Sequence, residues 1–191
     1  MLWARLDTPG HDACRLSEHD DGWQLEGSAI FVHERQPARL AYRLTCDRAW
    51  RTQHGKVNGW VGAAPVDFEI ARSADGTWSF NGAAVGGLEA CVDLDLGFTP
   101  ATNLFQLRRL ALAEGQAVDA PVAWLDVASG ALDRLSQRYE RRSTLTYWYE
   151  APRFGYGALL EVDASGFVRR YPGLWEVQAT SEPPGPTTHK Q

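Results

Sequence analysis

A chain of 191 residues, 44% hydrophobic and 23% charged, is long enough to bury a sizeable core as one domain without disulfide or metal staples. Its formal net charge is -5 and its basic residues are scattered apart from the short run Arg138 to Arg142, which excludes duplex nucleic acid as a partner, because that binding needs a cationic face. Only Lys56 and Lys190 are lysines, so the positive charge is carried by arginine, whose guanidinium stacks on the rings that 8 Trp, 6 Tyr and 7 Phe supply.

The start, MLWARLD, meets charge at Arg5 and Asp7 before an export signal's apolar core could form, and no later run approaches a membrane span, so a cytoplasmic protein is expected. His11, Asp12 and Cys14 follow, read either as metal ligands or as loop polarity. Asp20-Asp21-Gly22 is a turn. Leu40, Tyr42, Leu44 and Cys46 then alternate with Arg39, Ala41, Arg43 and Thr45, and Val66, Phe68 and Ile70 alternate with Asp67 and Glu69. That period of two predicts strands with one dry and one wet face. Turns recur at Asp75-Gly76 and Gly86-Gly87. Gly76, Thr77 and Trp78 spell a short Gly-x-Trp pattern that a hairpin explains. Thr99-Pro100 predicts a helix start, with Leu104, Leu107 and Leu110 at helical spacing. From Leu125 to Tyr139 the pattern fits helix or strand, and Gly130 interrupts it. Leu145, Tyr147 and Tyr149, then Leu160 and Val162, then Trp175 and Val177, are read as strands, with a turn at Ala164-Ser165-Gly166. One domain, a barrel or a roll, is expected over 1–178, with a disordered Pro-rich tail over 179–191. More than a dozen strands linked by hairpins are too many for a flat open sheet, so the sheet is expected to curl.

Val92 to Asn103, VDLDLGFTPATN, is the densest polar segment. In a strand, Asp93 and Asp95 share a face with Cα atoms roughly 6.6 Å apart. They fit a carboxylate pair or a hard-cation site, or a plain solvent face with Val92, Leu94 and Leu96 turned inward. Thr99, Thr102 and Asn103 fit either helix capping or contact with a ligand's hydroxyl or phosphate. Arg108 and Arg109 could bind an anionic head group bidentately, but adjacent residues face different directions, so only one of them is expected in the pocket, the other being a solvated or paired surface charge. The three cysteines, Cys14, Cys46 and Cys91, fit reduced thiols packed as small hydrophobes. His33 has Pro37 four residues on, which excludes HExxH zinc chemistry, and neither a G-x-S-x-G elbow nor a P-loop occurs. The tryptophans on or beside apolar strands, Trp50, Trp60, Trp78, Trp124 and Trp175 among them, could line an apolar cavity or fill a tight core and a dimer face.

Several motifs in order carry a resemblance: AWRT at Ala49 to Thr52, VDLDLGFTPATN, LRRLAL at Leu107 to Leu112, SQRYERR at Ser136 to Arg142, and SGFVRRYPGLWE at Ser165 to Glu176. From about Trp23 to Glu176 the chain resembles the putative glycolipid-binding family. The resemblance implies a mainly β fold, a spiral β-roll in which a many-stranded antiparallel sheet wraps around a single α-helix, and it makes Leu135 to Arg142 strand. Gln106 stands where the family pattern often has a proline. The family's roll is similar to that of bacterial carriers shielding lipoprotein acyl chains, which implies binding of a glycolipid or similar amphiphile and a homodimer, with no cofactor, metal or catalytic residue. On these motifs the ligand site is expected at Trp50, Arg51, Asp93, Asp95, Thr102, Asn103, Arg108, Gln137, Tyr139 and Trp175. The leading expectation is non-enzymatic binding of an amphiphile inside the curled sheet. The alternatives are a hydrolase of a glycolipid or related ester using Asp93 and Asp95, and a structural dimeric interaction module.

Overall fold

The structure is a computed structural model and describes residues 1–180, so the expected tail lies outside the described residues beyond its first two positions. The N-terminal half is a continuous meander: β1 (Leu2–Arg5), β2 (Gly10–His19), β3 (Gly22–His33), β4 (Gln36–Asp47), β5 (Thr52–Val61), β6 (Ala64–Arg72), β7 (Trp78–Phe80) and β8 (Ala83–Val85). Then come β9 (Asp93–Leu96) and the helix α1 (Asn103–Leu110). The C-terminal half follows with β10 (Ala117–Asp119), β11 (Val122–Asp126), β12 (Ala131–Leu135), β13 (Arg138–Ser143), β14 (Thr146–Ala151), β15 (Tyr156–Val162), β16 (Val168–Tyr171) and β17 (Trp175–Ala179).

The fold is mainly β, as expected, with the predicted turns joining β2 to β3, β6 to β7 and β15 to β16. Fourteen strands form one antiparallel sheet in the order β10-β13-β14-β15-β16-β17-β1-β2-β3-β4-β5-β6-β7-β8. The two meanders join where β1 pairs with β17, with Trp3 opposite Val177 and Arg5 opposite Trp175. The sheet wraps around α1 without closing: β10 and β8 remain its edges, so it is a roll and not a barrel. The predicted alternation holds in β4, where Ala38, Leu40, Tyr42, Leu44 and Cys46 are buried. Gln137 lies just before β13, and the ambiguous stretch from Leu125 to Tyr139 is strand on both sides of a turn at Gly130.

Two expectations change. Not every strand is hairpin-linked: β9, β11 and β12 form a second sheet in which β9 and β11 run parallel, with Leu94 opposite Ala123. A parallel pair cannot be joined by a tight turn, and α1 lies within the long connection between these two strands. Leu145, read as part of an apolar strand, sits in the turn before β14 and is 44% exposed.

The helix also begins later than Thr99-Pro100 suggests. Residues 100–102 form tight turns, with Asn103 N–H donating to Pro100 O and Leu104 N–H to Ala101 O, and Thr102 is the N-cap. Thr99 caps this entry turn, accepting from Ala101 N–H at 3.0 Å. Ala111 ends the helix in left-handed backbone with φ 43°, its N–H donating to Leu107 O. Leu104, Phe105 and Leu107 enter one continuous core with residues from both meanders. Close approach of β9 to the large sheet depends on Gly55, where a Cβ would lie 2.5 Å from Leu94 Cδ2.

Candidate functional site

The interior around α1 is polar as well as apolar, and its polar groups serve one another. Asn103 Nδ2 donates to Tyr139 Oη at 2.7 Å, Tyr139 Oη donates to Gln106 Oε1 at 3.1 Å, Gln106 Nε2 to Gln137 Oε1 at 3.0 Å, and Gln137 Nε2 to Asp95 Oδ2 at 2.6 Å. Tyr139 is fully buried, and Asn103, Gln106 and Gln137 nearly so. Thr102 Oγ1 joins the same layer, accepting from Leu96 N–H at 3.4 Å. Of the expected site residues, Asp95, Thr102, Asn103, Gln137 and Tyr139 are thus brought together, in a network that fixes α1 against β9 and β13. Burial raises the Asp95 carboxyl to about 6, against the Gln137 and Thr102 hydrogen bonds that lower it.

Asp93 lies beside this layer with 0% exposure, which corrects the reading of a solvent-facing carboxylate. Both its oxygens accept from Arg109, Oδ2 from Nη2 at 2.6 Å and Oδ1 from Nε at 3.0 Å. Burial still pushes its carboxyl upward, with Arg109 pulling the other way. The helix therefore sends its adjacent arginines to opposite tasks: Arg109 neutralises Asp93 inside, and Arg108 turns outward.

Arg108 meets Trp50, whose ring lies 5.5 Å beneath the guanidinium. Trp50 is held in left-handed backbone with φ 63°, a conformation that costs a bulky residue on the order of 1–3 kcal/mol. The turn that enforces it is built by Asp47, whose carboxylate accepts from Ala49 N–H and Arg51 N–H, both at 2.9 Å, and whose carbonyl accepts from Trp50 N–H. The indole stacks on Trp23 at 4.7 Å and meets Phe105 edge-on at 5.9 Å. Gly166 also lies close to this side chain, where a Cβ would stand 3.5 Å from Arg108 Nε.

Beside Arg108 opens a cleft of about 360 Å³ between the end of α1 and the turns before β14 and β16. Leu107, Ala111, Leu145, Tyr147 and Val162 give it apolar walls, and Arg108, Arg141, Thr144 and Asp163 give it polar ones. Arg141 stacks on Tyr147 at 5.7 Å and donates to the carbonyls of Leu112, Ser143 and Thr144. Asp163 Oδ1 accepts from Ser165 N–H, Ser165 Oγ and Phe167 N–H. Among the described residues, Arg108 has neither a hydrogen-bond partner nor an ion pair.

A larger recess of about 860 Å³ lies on the outer face of β2 to β5, floored by Ala13, Ser28, Ala41 and Asn58. It is wide open, and its charges are matched along one edge, where Glu26 pairs with both Arg15 and Arg43. None of the expected site residues lines it. Arg51 is turned away from the cleft and pairs with Asp47 at 2.7 Å, and Trp175 packs beneath Arg5 at the seam of the two meanders.

Sequence reasoning missed Gln106 and Arg109 as polar partners inside the roll. It also read Asp12 as metal-ligand or loop chemistry, whereas Asp12 lies on β2 with 0% exposure. Its Oδ2 accepts from Thr99 Oγ1 at 2.5 Å and Tyr42 Oη at 2.8 Å, while Oδ1 has no hydrogen-bond partner among the described residues. Burial raises this carboxyl to about 6. No cluster of metal-binding side chains occurs among the described residues, and no described helix is long and apolar enough to cross a membrane. All three cysteines are buried and unpaired.

The family model described as Putative glycolipid-binding matches residues 1–177. The structure is similar to the crystal structure of a DUF1089 family protein from Pseudomonas aeruginosa, which is 28% identical, with 87% of this chain and 92% of that chain covered and a TM-score of 0.78. No curated protein matches the chain.

Proposed function

The chain belongs to the putative glycolipid-binding family, and from that premise we propose that it binds a glycolipid or similar amphiphile, without chemistry of its own, in the cleft beside Arg108. The observation that carries this reading is the juxtaposition of an unpaired guanidinium with a continuous apolar wall of Leu107, Leu145 and Val162. An amphiphile needs both, a polar anchor and a dry surface for its tail. The apolar wall contributes about 25 cal/mol for each Å² that the tail covers.

The sequence pointed to the roll's interior as the binding place. There Asn103, Tyr139, Gln106, Gln137 and Asp95 already satisfy one another, and a ligand would have to replace those bonds one for one. The cleft asks for no such exchange, so support falls on the roll's end and away from its centre. The hydrolase alternative meets the same obstacle, since both oxygens of Asp93 are held by Arg109.

The reading is tested by native mass spectrometry of gently purified protein, followed by lipid extraction and by titration with dodecyl maltoside. One amphiphile per chain is expected. Leu145→Asp places a carboxylate on the exposed part of the apolar wall, leaves the core untouched, and is expected to weaken binding about tenfold or more. Protein that carries no amphiphile and binds none, or Leu145→Asp protein that binds as the parent does, overturns this assignment.

A further inference from the structure

Resting on that reading of the cleft, we propose that the ligand's head is anionic, a phosphate, sulfate or carboxylate held edge-on by Arg108, with its chain running past Leu107, Leu145 and Val162.

Most of the charge lining the cleft is already matched. Arg141 carries a full positive charge, but three carbonyl oxygens, of Leu112, Ser143 and Thr144, take up donors from Nη1, Nε and Nη2. Asp163 carries the opposing charge, and its Oδ1 is occupied by two N–H groups and a hydroxyl of its own turn. These two charged groups hold the walls in shape and roughly offset each other. Arg108 is left over. It lies on the last turn of α1, where the helix dipole favours a cation but supplies only about half a unit of opposite charge.

Stacking determines what remains available on Arg108. With the Trp50 ring covering one face of the guanidinium and Gly166 set close on the side of Nε, its in-plane N–H edge is left for a ligand. A planar fork of donors matches two oxygens of a carboxylate, sulfate or phosphate better than it matches one hydroxyl. Leu107, Ala111, Tyr147 and Val162 lie beside Arg108 in the cleft, so a chain attached to such a head meets apolar surface directly. The strained Trp50 backbone also acquires a purpose, because relaxing it would move the ring on which Arg108 rests.

The test compares dodecyl phosphate, dodecyl maltoside and dodecyltrimethylammonium as probes of equal chain length, by isothermal titration of the full chain. Dodecyl phosphate is expected to bind roughly 10- to 100-fold more tightly than the other two. Arg108→Gln is expected to abolish that preference, bringing dodecyl phosphate to the affinity of dodecyl maltoside in the same variant, and Arg108→Lys to restore only part of it. Added salt should weaken the phosphate probe selectively. Arg108 is exposed, and retention of the parent's unfolding midpoint shows that the variants fold. Inorganic phosphate without a chain is expected to bind far more weakly, which separates an amphiphile's head from a free anion. Equal binding of all three detergents, or a preference for phosphate that survives Arg108→Gln, overturns the anionic head and leaves the amphiphile cleft standing. Binding of none of them removes both.

Discussion

Asp12 shows how far a single side chain can govern stability in this fold. Its carboxyl is raised to about 6 from the ordinary 3.8, chiefly by burial, while the Thr99 and Tyr42 hydroxyls pull it down. Between those two values the folded chain keeps a proton that the unfolded chain has released, so stability falls as pH rises through that window. Full ionisation of Asp12 is expected to cost about 3 kcal/mol relative to its protonated form. Asp95 acts in the same direction. Asp7, Asp47 and Asp75 have lowered values and oppose the trend only below about the ordinary carboxylate range, where their stabilisation is lost. Urea unfolding is therefore expected to give a higher free energy near pH 4.5 than near pH 7, with a smaller difference in Asp12→Asn, which keeps an oxygen for both hydroxyls while the contribution of Asp95 remains. A parent protein whose stability is flat or rising over that range would remove this account. The sequence marked Asp93 and Asp95 as a notable pair but not their surroundings. Period-two alternation reports which residues share a face, and it is silent on whether that face meets water or Arg109 and Gln137.

At the scale of elements, α1 is held less by its own propensity than by what its polar face meets. An isolated helix of 8 residues is unstable in water, so the contacts from Asn103 to Leu107 must hold it. Tyr139→Phe tests this directly. The change removes one hydroxyl and leaves Asn103 Nδ2 and Gln106 Oε1 buried without that partner. A loss of about 3 kcal/mol is expected in denaturant unfolding, with little change in the strand signal of the circular dichroism spectrum. The helix itself was legible in the sequence from Thr99-Pro100 and the leucine spacing. Its first turn was not, because Thr99 is drawn into capping Ala101 and donating to Asp12, a residue 87 positions away in the chain.

For the whole molecule, the decisive contact is the one that joins its two meanders. The strands from β1 to β8 and from β13 to β17 could each form from local hairpins, but the single large sheet exists only because β1 pairs with β17. Trp3 anchors that seam: it is fully buried, packs on Phe167 at 5.9 Å, and its Nε1 donates to Val168 O at 2.6 Å. Trp3→Ala is expected to cost about 4 kcal/mol and to lower amide exchange protection in β1 and β17 together, leaving the β3 to β5 hairpins the better protected part. Loss of protection spread evenly over both meanders would mean that the seam is not the weak link.

The sequence by itself determined the alternating strands within β4, β6, β14, β15 and β17, the turns at Asp20-Asp21-Gly22, Asp75-Gly76 and Ala164-Ser165-Gly166, and the presence of one helix. These follow from the alternation of side chains along a strand and from glycine, proline and aspartate at reversals, all of which act within a few residues. Only the tertiary structure decided that β9 runs parallel to β11 inside the roll, that Asp93 is buried against Arg109, and that Asp95 meets Gln137. Those outcomes depend on which distant groups come within hydrogen-bonding reach, and the burial of a charge is tolerated only once its partner has arrived.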